Sequence, residues 1–355
     1  MGYPLRGSVA RHWLLFLSSE TREEKTLAEE NGWEIGPFHL PAPAGASDVL
    51  ADSIRNTPAP DVDAIRQLIP RSEAEWAAAV EERNEVNRAS LPTLIDQLGV
   101  TVEEEHIGSV GTHRVTPPEI DQRHQDHLFV YVHGGAYVLN AGEAGLGEAM
   151  LIAARSKMPV LSIDYRMPPE HPFPAGLEDV VVVWQHVLGT HPADSMAMGG
   201  TSAGSGLILA VVHKLIEAGQ PTPGALYAGT PWSDLTRTGD SYYTNEGIDR
   251  LLVSYDGILA AAARLYAGGY DLTDPLISPI YGDFTGFPPT FLVTGTRDLF
   301  LSNTVRTHTK LRAAGVTADL LVFEGVSHGD YAFEATSAES FLTYAELDTF
   351  LLLHL

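Results

Sequence analysis

The chain has 355 residues, an apolar fraction of 44% and a formal charge of −24, which suits one large domain with an appended part, or two domains. Its acidity and its scarcity of lysine (Lys25, Lys157, Lys214 and Lys310 only) make nucleic acid and anionic membrane surfaces poor partners. With no cysteine, disulfides, thiolate nucleophiles and cysteine-held zinc are excluded together.

No stretch approaches the ~20 apolar residues of a membrane helix. The apolar run Trp13–Leu17 is too short for a secretory core, and no small-residue cleavage site follows it, so a cytoplasmic protein is expected. Glu20–Glu30 reads as a charged helix. Phe38–Asp48, rich in Pro, Ala and Gly, and Pro58-Ala59-Pro60 read as connectors. Val62, Ile65, Leu68 and Ile69 have helical spacing. Ser72-Glu73-Ala74-Glu75 is a capping box for a helix that runs through Val86 until Pro92 disturbs it. A short helical piece then ends at Gly99. Residues 1–99 thus form a mostly helical region ahead of the first strand.

From Val100 the pattern turns to alternating strands and helices. Val100–Ile107 and Thr112–Thr116 read as a hairpin joined by Gly108–Gly111. Leu128–Val132 is a continuous apolar strand, as in a sheet buried on both faces. Helix is expected over Gly147–Arg155, strand over Val160–Ile163, helix over Leu177–Leu188 and strand over Ala225–Gly229. A helical, partly apolar insertion is expected over 242–266. Strand Thr290–Thr294, helix Ser302–Ala314, strand Asp319–Phe323 and a capped helix from Thr336 complete the chain. Such alternation predicts a mainly parallel, doubly wound α/β sheet over 100–355.

The stretch Met196–Gly206 carries the chemistry. An apolar run, a glycine-rich turn and a long apolar helix surround Ser202, with Gly200 and Gly204 two residues to either side. This is the G-x-S-x-G nucleophile elbow, whose glycines let strand and helix backbones pass close together. Alone it could be a glycine-rich turn with an incidental serine; its partners decide. Strand Leu128–Val132 runs into His133-Gly134-Gly135-Ala136. The Gly134 and Gly135 N–H groups, with that of Ala203, would form an oxyanion hole. A serine hydroxyl needs a base, and His328 sits in a loop just after the last strand. His171 lies in a proline-fixed loop, and His213 falls within a helix facing away. His124, His127, Asp121 and Asp126 could be imagined around a metal, but a polar loop is the better account, and neither metal nor cofactor is expected. The base needs an acid to hold its tautomer, and Asp298 follows strand Thr290–Thr294, whereas Asp274 and Asp283 precede it. Arg297 beside it reads as a surface or salt-bridge residue.

His133-Gly134-Gly135, the stretch Asp164–Ala175 and Gly200-Thr201-Ser202-Ala203-Gly204 together resemble the bacterial hormone-sensitive-lipase family of esterases, in its G-T-S-A-G rather than G-D-S-A-G branch. The resemblance covers Val100 to the C-terminus. It implies an α/β-hydrolase fold and a serine carboxylesterase acting on short- to medium-chain esters, with Ser202, Asp298 and His328 as triad. It also implies a helical N-terminal cap, to which 242–266 would add a second wall, and a homodimer formed through the last strand, where Leu320–Phe323 is apolar. The Asp164–Ala175 loop then shapes the site rather than reacting. Departures are Ala136 for a third glycine, Ser205 for a glycine after the elbow, and Leu299 where proline is frequent. An amidase, peptidase or lactone hydrolase would use the same triad, and a receptor that kept the fold would look damaged at its histidine.

Overall fold

The alternation folds into one eight-stranded sheet: β1 (Thr101–Ile107), β2 (Val110–Thr116), β3 (Leu128–Val132), β4 (Val160–Asp164), β5 (Met196–Thr201), β6 (Ala225–Gly229), β7 (Thr290–Gly295) and β8 (Ala318–Phe323). The order is β1-β2-β4-β3-β5-β6-β7-β8. β2 pairs antiparallel with β1 and β4, and every other pair is parallel. This computed structural model describes residues 36–37 and 39–355, and the unit Ala42–Leu355 carries every element discussed. The expected run at Trp13–Leu17 and helix at Glu20–Glu30 lie outside the described residues.

The helices are α1 (Asp48–Asn56), α2 (Val62–Gln67), α3 (Glu73–Leu98), α4 (Gly147–Ser156), α5 (Ala175–Val187), α6 (Ala203–Glu217), α7 (Ser241–Thr244), α8 (Ile258–Ala267), α9 (Leu301–Ala313), α10 (Asp330–Phe333) and α11 (Ala338–His354). They cover both faces of the sheet, and the period-2 alternation of the strands sorts residues between two cores. Leu128, Val130, Val132, Met196 and Met198 meet α5, α6 and α9 on one side. Phe129, Tyr131 and Ala197 meet α4 and α11 on the other. Both faces being dry, β3 and β5 read as unbroken apolar runs. Among the described residues no helix is long and apolar enough to cross a membrane.

The structure departs from the expected elements in three places. The hairpin turn has two residues, not four: Ile107 pairs with Val110, and Gly108 takes the positive φ of 63° that so tight a turn requires. Pro92 does not interrupt α3, which runs unbroken for 26 residues to Gly99 at φ 66°. Proline inside a helix costs about 3 kcal/mol or more, while burying an apolar side chain returns about 1.5–3 kcal/mol. Leu91, with the partly buried Leu94, Ile95 and Leu98, packs into the second core and offsets the missing bond. The 242–266 stretch is not one helix either. α7 and α8 flank an irregular segment, because Gly247 at φ 70°, Val253 at φ 60° and Gly257 at φ 106° break the helical path.

The helices before β1 are tied to the sheet domain by polar and apolar contacts. Ser47 caps α1 by accepting from Leu50 N at 3.3 Å, and its own N–H and hydroxyl reach Glu339 at 2.9 and 2.6 Å. Ser72 caps α3 as expected, accepting from Glu75 N at 3.2 Å. Trp76, near the start of α3, packs against Val138 and against Ala262 of α8.

Candidate active site

β5 ends at Thr201 and α6 begins at Ala203, so Ser202 is the whole turn. Its φ of 61° and ψ of −122° lie in a sparsely populated region that costs on the order of 1–3 kcal/mol for a residue with a side chain. The backbone enforces it: Ser202 N donates to Gly229 O at 2.8 Å, and its carbonyl accepts from Gly206 N at 3.1 Å and Trp232 N at 3.0 Å. A Cβ on Gly200 or on Gly204 would strike the Val132 carbonyl oxygen, which is why the motif demands glycine there. Ser205 adds a brace. Its buried hydroxyl donates to Gly229 O at 2.9 Å and also to Gly200 O, binding helix to strands.

β7 and β8 deliver the other two groups at the same sheet edge. Asp298 Oδ1 meets His328 Nδ1 at 3.0 Å, and both residues are buried. A carboxylate can only accept here, so Nδ1 carries the proton and Nε2 keeps its lone pair. Asp298 is held in turn by Phe300 N at 2.8 Å on Oδ1, by Thr294 Oγ1 at 2.7 Å on Oδ2, and by Thr230 Oγ1 on Oδ2. Burial alone would push the His328 imidazole down, but the carboxylates of Asp298, Asp249 and Asp330 outweigh it and the net shift is upward. Among the described residues no hydrogen bond joins Ser202 Oγ to His328. Resting-state catalytic hydrogen bonds are often long and tighten with substrate.

Gly134 lies beside the serine: a Cβ placed on it would come 3.2 Å from Ser202 Cβ. Its carbonyl accepts from Asn140 Nδ2 at 3.1 Å and meets His133 Nδ1 at 2.8 Å. Across a planar trans peptide the Gly135 N–H points the opposite way. Gly135 itself sits at φ 118°, and a Cβ there would strike the Leu139 carbonyl. Ala203, at the first position of α6, lends the N–H adjoining Ser202, at the positive end of the helix. Ala136 takes a positive φ of 53° despite its side chain.

The α/β-hydrolase-fold family pattern matches residues 129–332. A solved esterase, E25, is 55% identical, covers 92% of this chain and 99% of its own, and superposes with a TM-score of 0.90. Another solved structure, an esterase from the bacterial hormone-sensitive lipase family, is 28% identical with a TM-score of 0.67, covering 80% of this chain and 99% of its own. The chain belongs to the bacterial hormone-sensitive-lipase family of α/β-hydrolase esterases. An acetyl-hydrolase of Streptomyces hygroscopicus is 35% identical over 178 residues, which are 50% of this chain and 59% of that protein.

The residues weighed and set aside in this esterase have other occupations. Asp274 accepts from Leu276 N at 2.8 Å and Asp283 from Thr285 N at 2.9 Å, each closing a local turn. His213 packs on Phe284 and Phe287 with Nε2 at 3.0 Å from Pro279 O. His171 is exposed. His124 has one ring nitrogen 3.0 Å from His127 Nδ1 and the other 2.8 Å from Asp348 Oδ1, while Asp121 accepts from Arg123 at 2.6 Å. Arg297 is buried rather than at the surface, because its loop folds back onto Val326 O through its own N–H at 3.1 Å.

Two buried carboxylates that border the elbow and the triad escaped the sequence reading. Glu148 of α4 lies beneath the elbow, accepting from Thr201 Oγ1 at 2.8 Å, Tyr227 OH at 2.7 Å, Tyr131 OH at 2.9 Å and Tyr344 OH at 3.3 Å. These partners come from four distant elements, so no local pattern announces them. Asp249 lies beside Asp298 and His328. Its local signal was legible: Asp249 Oδ1 accepts from Leu251 N at 2.8 Å and Leu252 N at 2.9 Å, the Asx turn that aspartate favours, but reading the stretch as helix hid it.

Proposed function

We propose that this carboxylic ester hydrolase works through an acyl-enzyme on Ser202. Ser202 Oγ attacks the ester carbonyl, and His328 Nε2 takes its proton and later gives it to the leaving alcohol. Asp298 holds the imidazole in the tautomer with Nδ1 protonated. The N–H groups of Gly134, Gly135 and Ala203 receive the oxyanion, each such donor contributing roughly 2.7–4 kcal/mol of transition-state stabilisation. Water then attacks the acyl-enzyme with His328 as base. The observation that carries this reading is the buried 3.0 Å Asp298–His328 pair, delivered by β7 and β8 to the sheet edge where Ser202 is strained outward.

The substrate is an ester, and short- to medium-chain acyl groups are the proposed range, supported by likeness to an acetyl-hydrolase. A p-nitrophenyl ester series from acetate to palmitate tests it. Turnover should be high from acetate to about hexanoate and negligible at palmitate; faster hydrolysis of the matching anilides would overturn the ester assignment.

Residues 42–98 and α8 are proposed as a cap that shapes substrate access, and the Trp76 contacts with Val138 and Ala262 support it by joining α3 to α8 over the loop that follows Gly135. A cap acts on binding more than on chemistry. Trp76→Phe should therefore raise KM severalfold while kcat stays within about twofold; a fall in kcat at constant KM would count against the cap. β8 is proposed as a homodimer edge: it is the last strand of the sheet, and Val322 is 43% exposed there.

A further inference from the structure

The irregular segment between α7 and α8 touches both loops that carry the acid and the base. Asn245 Nδ2 donates to Asp298 O at 2.8 Å and to Thr296 O at 3.2 Å. Asp249 Oδ2 accepts from Leu299 N, the residue after the acid, at 2.7 Å, and from the His328 N–H at 3.3 Å. Arg250 Nη2 donates to Asp330 Oδ2 at 2.6 Å, its Nε to Ser327 Oγ at 3.4 Å and its Nη1 to Ser53 Oγ of α1 at 3.1 Å. Asp330 Oδ2 accepts from Ser327 N at 2.7 Å as well.

Asp249 is 0% exposed and receives four backbone N–H groups, from Leu251, Leu252, Leu299 and His328, with no salt bridge to it among the described residues. A buried carboxylate is costly unless its oxygens are satisfied. Here that cost is met by backbone donors of two separate catalytic loops and of its own turn. Asp271 and Asp283, which each close a single turn, are exposed. Carrying a charge into the core at this point makes physical sense where it must hold two loops together.

We propose that Asp249 is a positioning residue that clips the Asp298 loop to the His328 loop, with Asn245 and Arg250 completing the clip. This rests on the triad reading above and adds a second carboxylate to the acid–base pair that no motif carries. The clip fixes the backbone of both partners of the 3.0 Å Asp298–His328 bond, and a misplacement of about 1 Å at a catalytic group can cost on the order of 10²-fold in rate. It also places a second negative charge against the imidazole. The charged groups facing His328 are Asp298 from the β7 loop, Asp249 from the clip and Asp330 from α10, the last bonded to Arg250. Burial first, and the neighbouring Asp298 charge second, push the Asp249 carboxyl up to about 6.

Asp249→Asn is the sharp test. Its amide nitrogen can only donate, so one pair of backbone N–H groups loses its acceptor, and the charge beside His328 disappears. With p-nitrophenyl butyrate as substrate, kcat should fall about 10²-fold while KM changes little. The base must be neutral to act, so the acid limb of kcat/KM follows the imidazole; removing a carboxylate beside it should move that limb to lower pH. Asn245→Ala, which removes only the contacts to the Asp298 and Thr296 carbonyls, should lower kcat by a smaller factor and leave the limb in place. It is the deciding variant if Asp249→Asn does not fold. A kcat within about twofold of the parent, or an unmoved limb in folded Asp249→Asn protein, overturns the proposal, as does an unchanged kcat in Asn245→Ala. Failure of the triad itself would appear separately, as activity surviving in Ser202→Ala.

Discussion

Ser202→Ala protein is expected to fold like the parent and to lose ester hydrolysis by roughly five to six orders of magnitude in kcat, the scale on which a serine nucleophile acts with its base as a unit. The stability half of this expectation follows from the elbow's geometry. What holds residue 202 in place is backbone: its N–H on Gly229 O at 2.8 Å and its carbonyl under Gly206 N and Trp232 N, all kept by alanine. The hydroxyl makes no hydrogen bond among the described residues, so its removal orphans nothing. Surface-like stability changes, within about 0.5 kcal/mol, are expected in thermal or urea unfolding. Purified Ser202→Ala protein that still turns over p-nitrophenyl butyrate at more than a thousandth of the parent rate would remove the serine from the mechanism.

Asp298→Asn is expected to lower kcat about 10⁴-fold, the scale seen where an acid that fixes the histidine tautomer becomes an amide. Asp298 accepts at both oxygens, from His328, Phe300, Thr294 and Thr230. An amide must turn one end into a donor, so either the histidine or the threonine pair meets a donor instead of an acceptor. The swap therefore forces the wrong tautomer or breaks the support. Asp274→Asn should leave kcat within about twofold, because among the described residues its side chain accepts from Leu276 N at 2.8 Å, a role an asparagine oxygen also fills. A larger loss in Asp274→Asn than in Asp298→Asn would show that the acid precedes β7 rather than following it.

The sheet was legible because its strands are buried on both faces: Phe129-Val130-Tyr131 can hardly be read as anything but a core strand, and its position before His133-Gly134-Gly135 sets the edge where chemistry gathers. The elbow was legible because backbone crowding leaves only glycine at 200 and 204, a constraint written directly into residue identity. What was hidden depends on packing between distant segments. Pro92 lies inside a helix because Leu91 and its neighbours are buried, which no local propensity reports. Glu148 looks like any first-turn glutamate of α4 until three strands and α11 surround it with hydroxyls. Asp249 follows Gly247 in a stretch of mixed pattern, and only the juxtaposition of the β7 and β8 loops gives its carboxylate a purpose.

The phenol-lined carboxylate under the elbow bears on how the two spellings of the family motif relate. Glu148 receives a proton donor from Thr201 at 2.8 Å, one residue before the nucleophile, and its carboxyl is pushed up by burial against the pull of those hydroxyls. A threonine hydroxyl can give that hydrogen; an ionised aspartate cannot. Thr201→Asp, the change that would turn G-T-S-A-G into G-D-S-A-G, would set two acids in contact in a dry space, where one of them would have to retain its proton. In this protein residues 148 and 201 are therefore coupled, and Thr201→Asp made together with Glu148→Gln is expected to be better tolerated than Thr201→Asp alone.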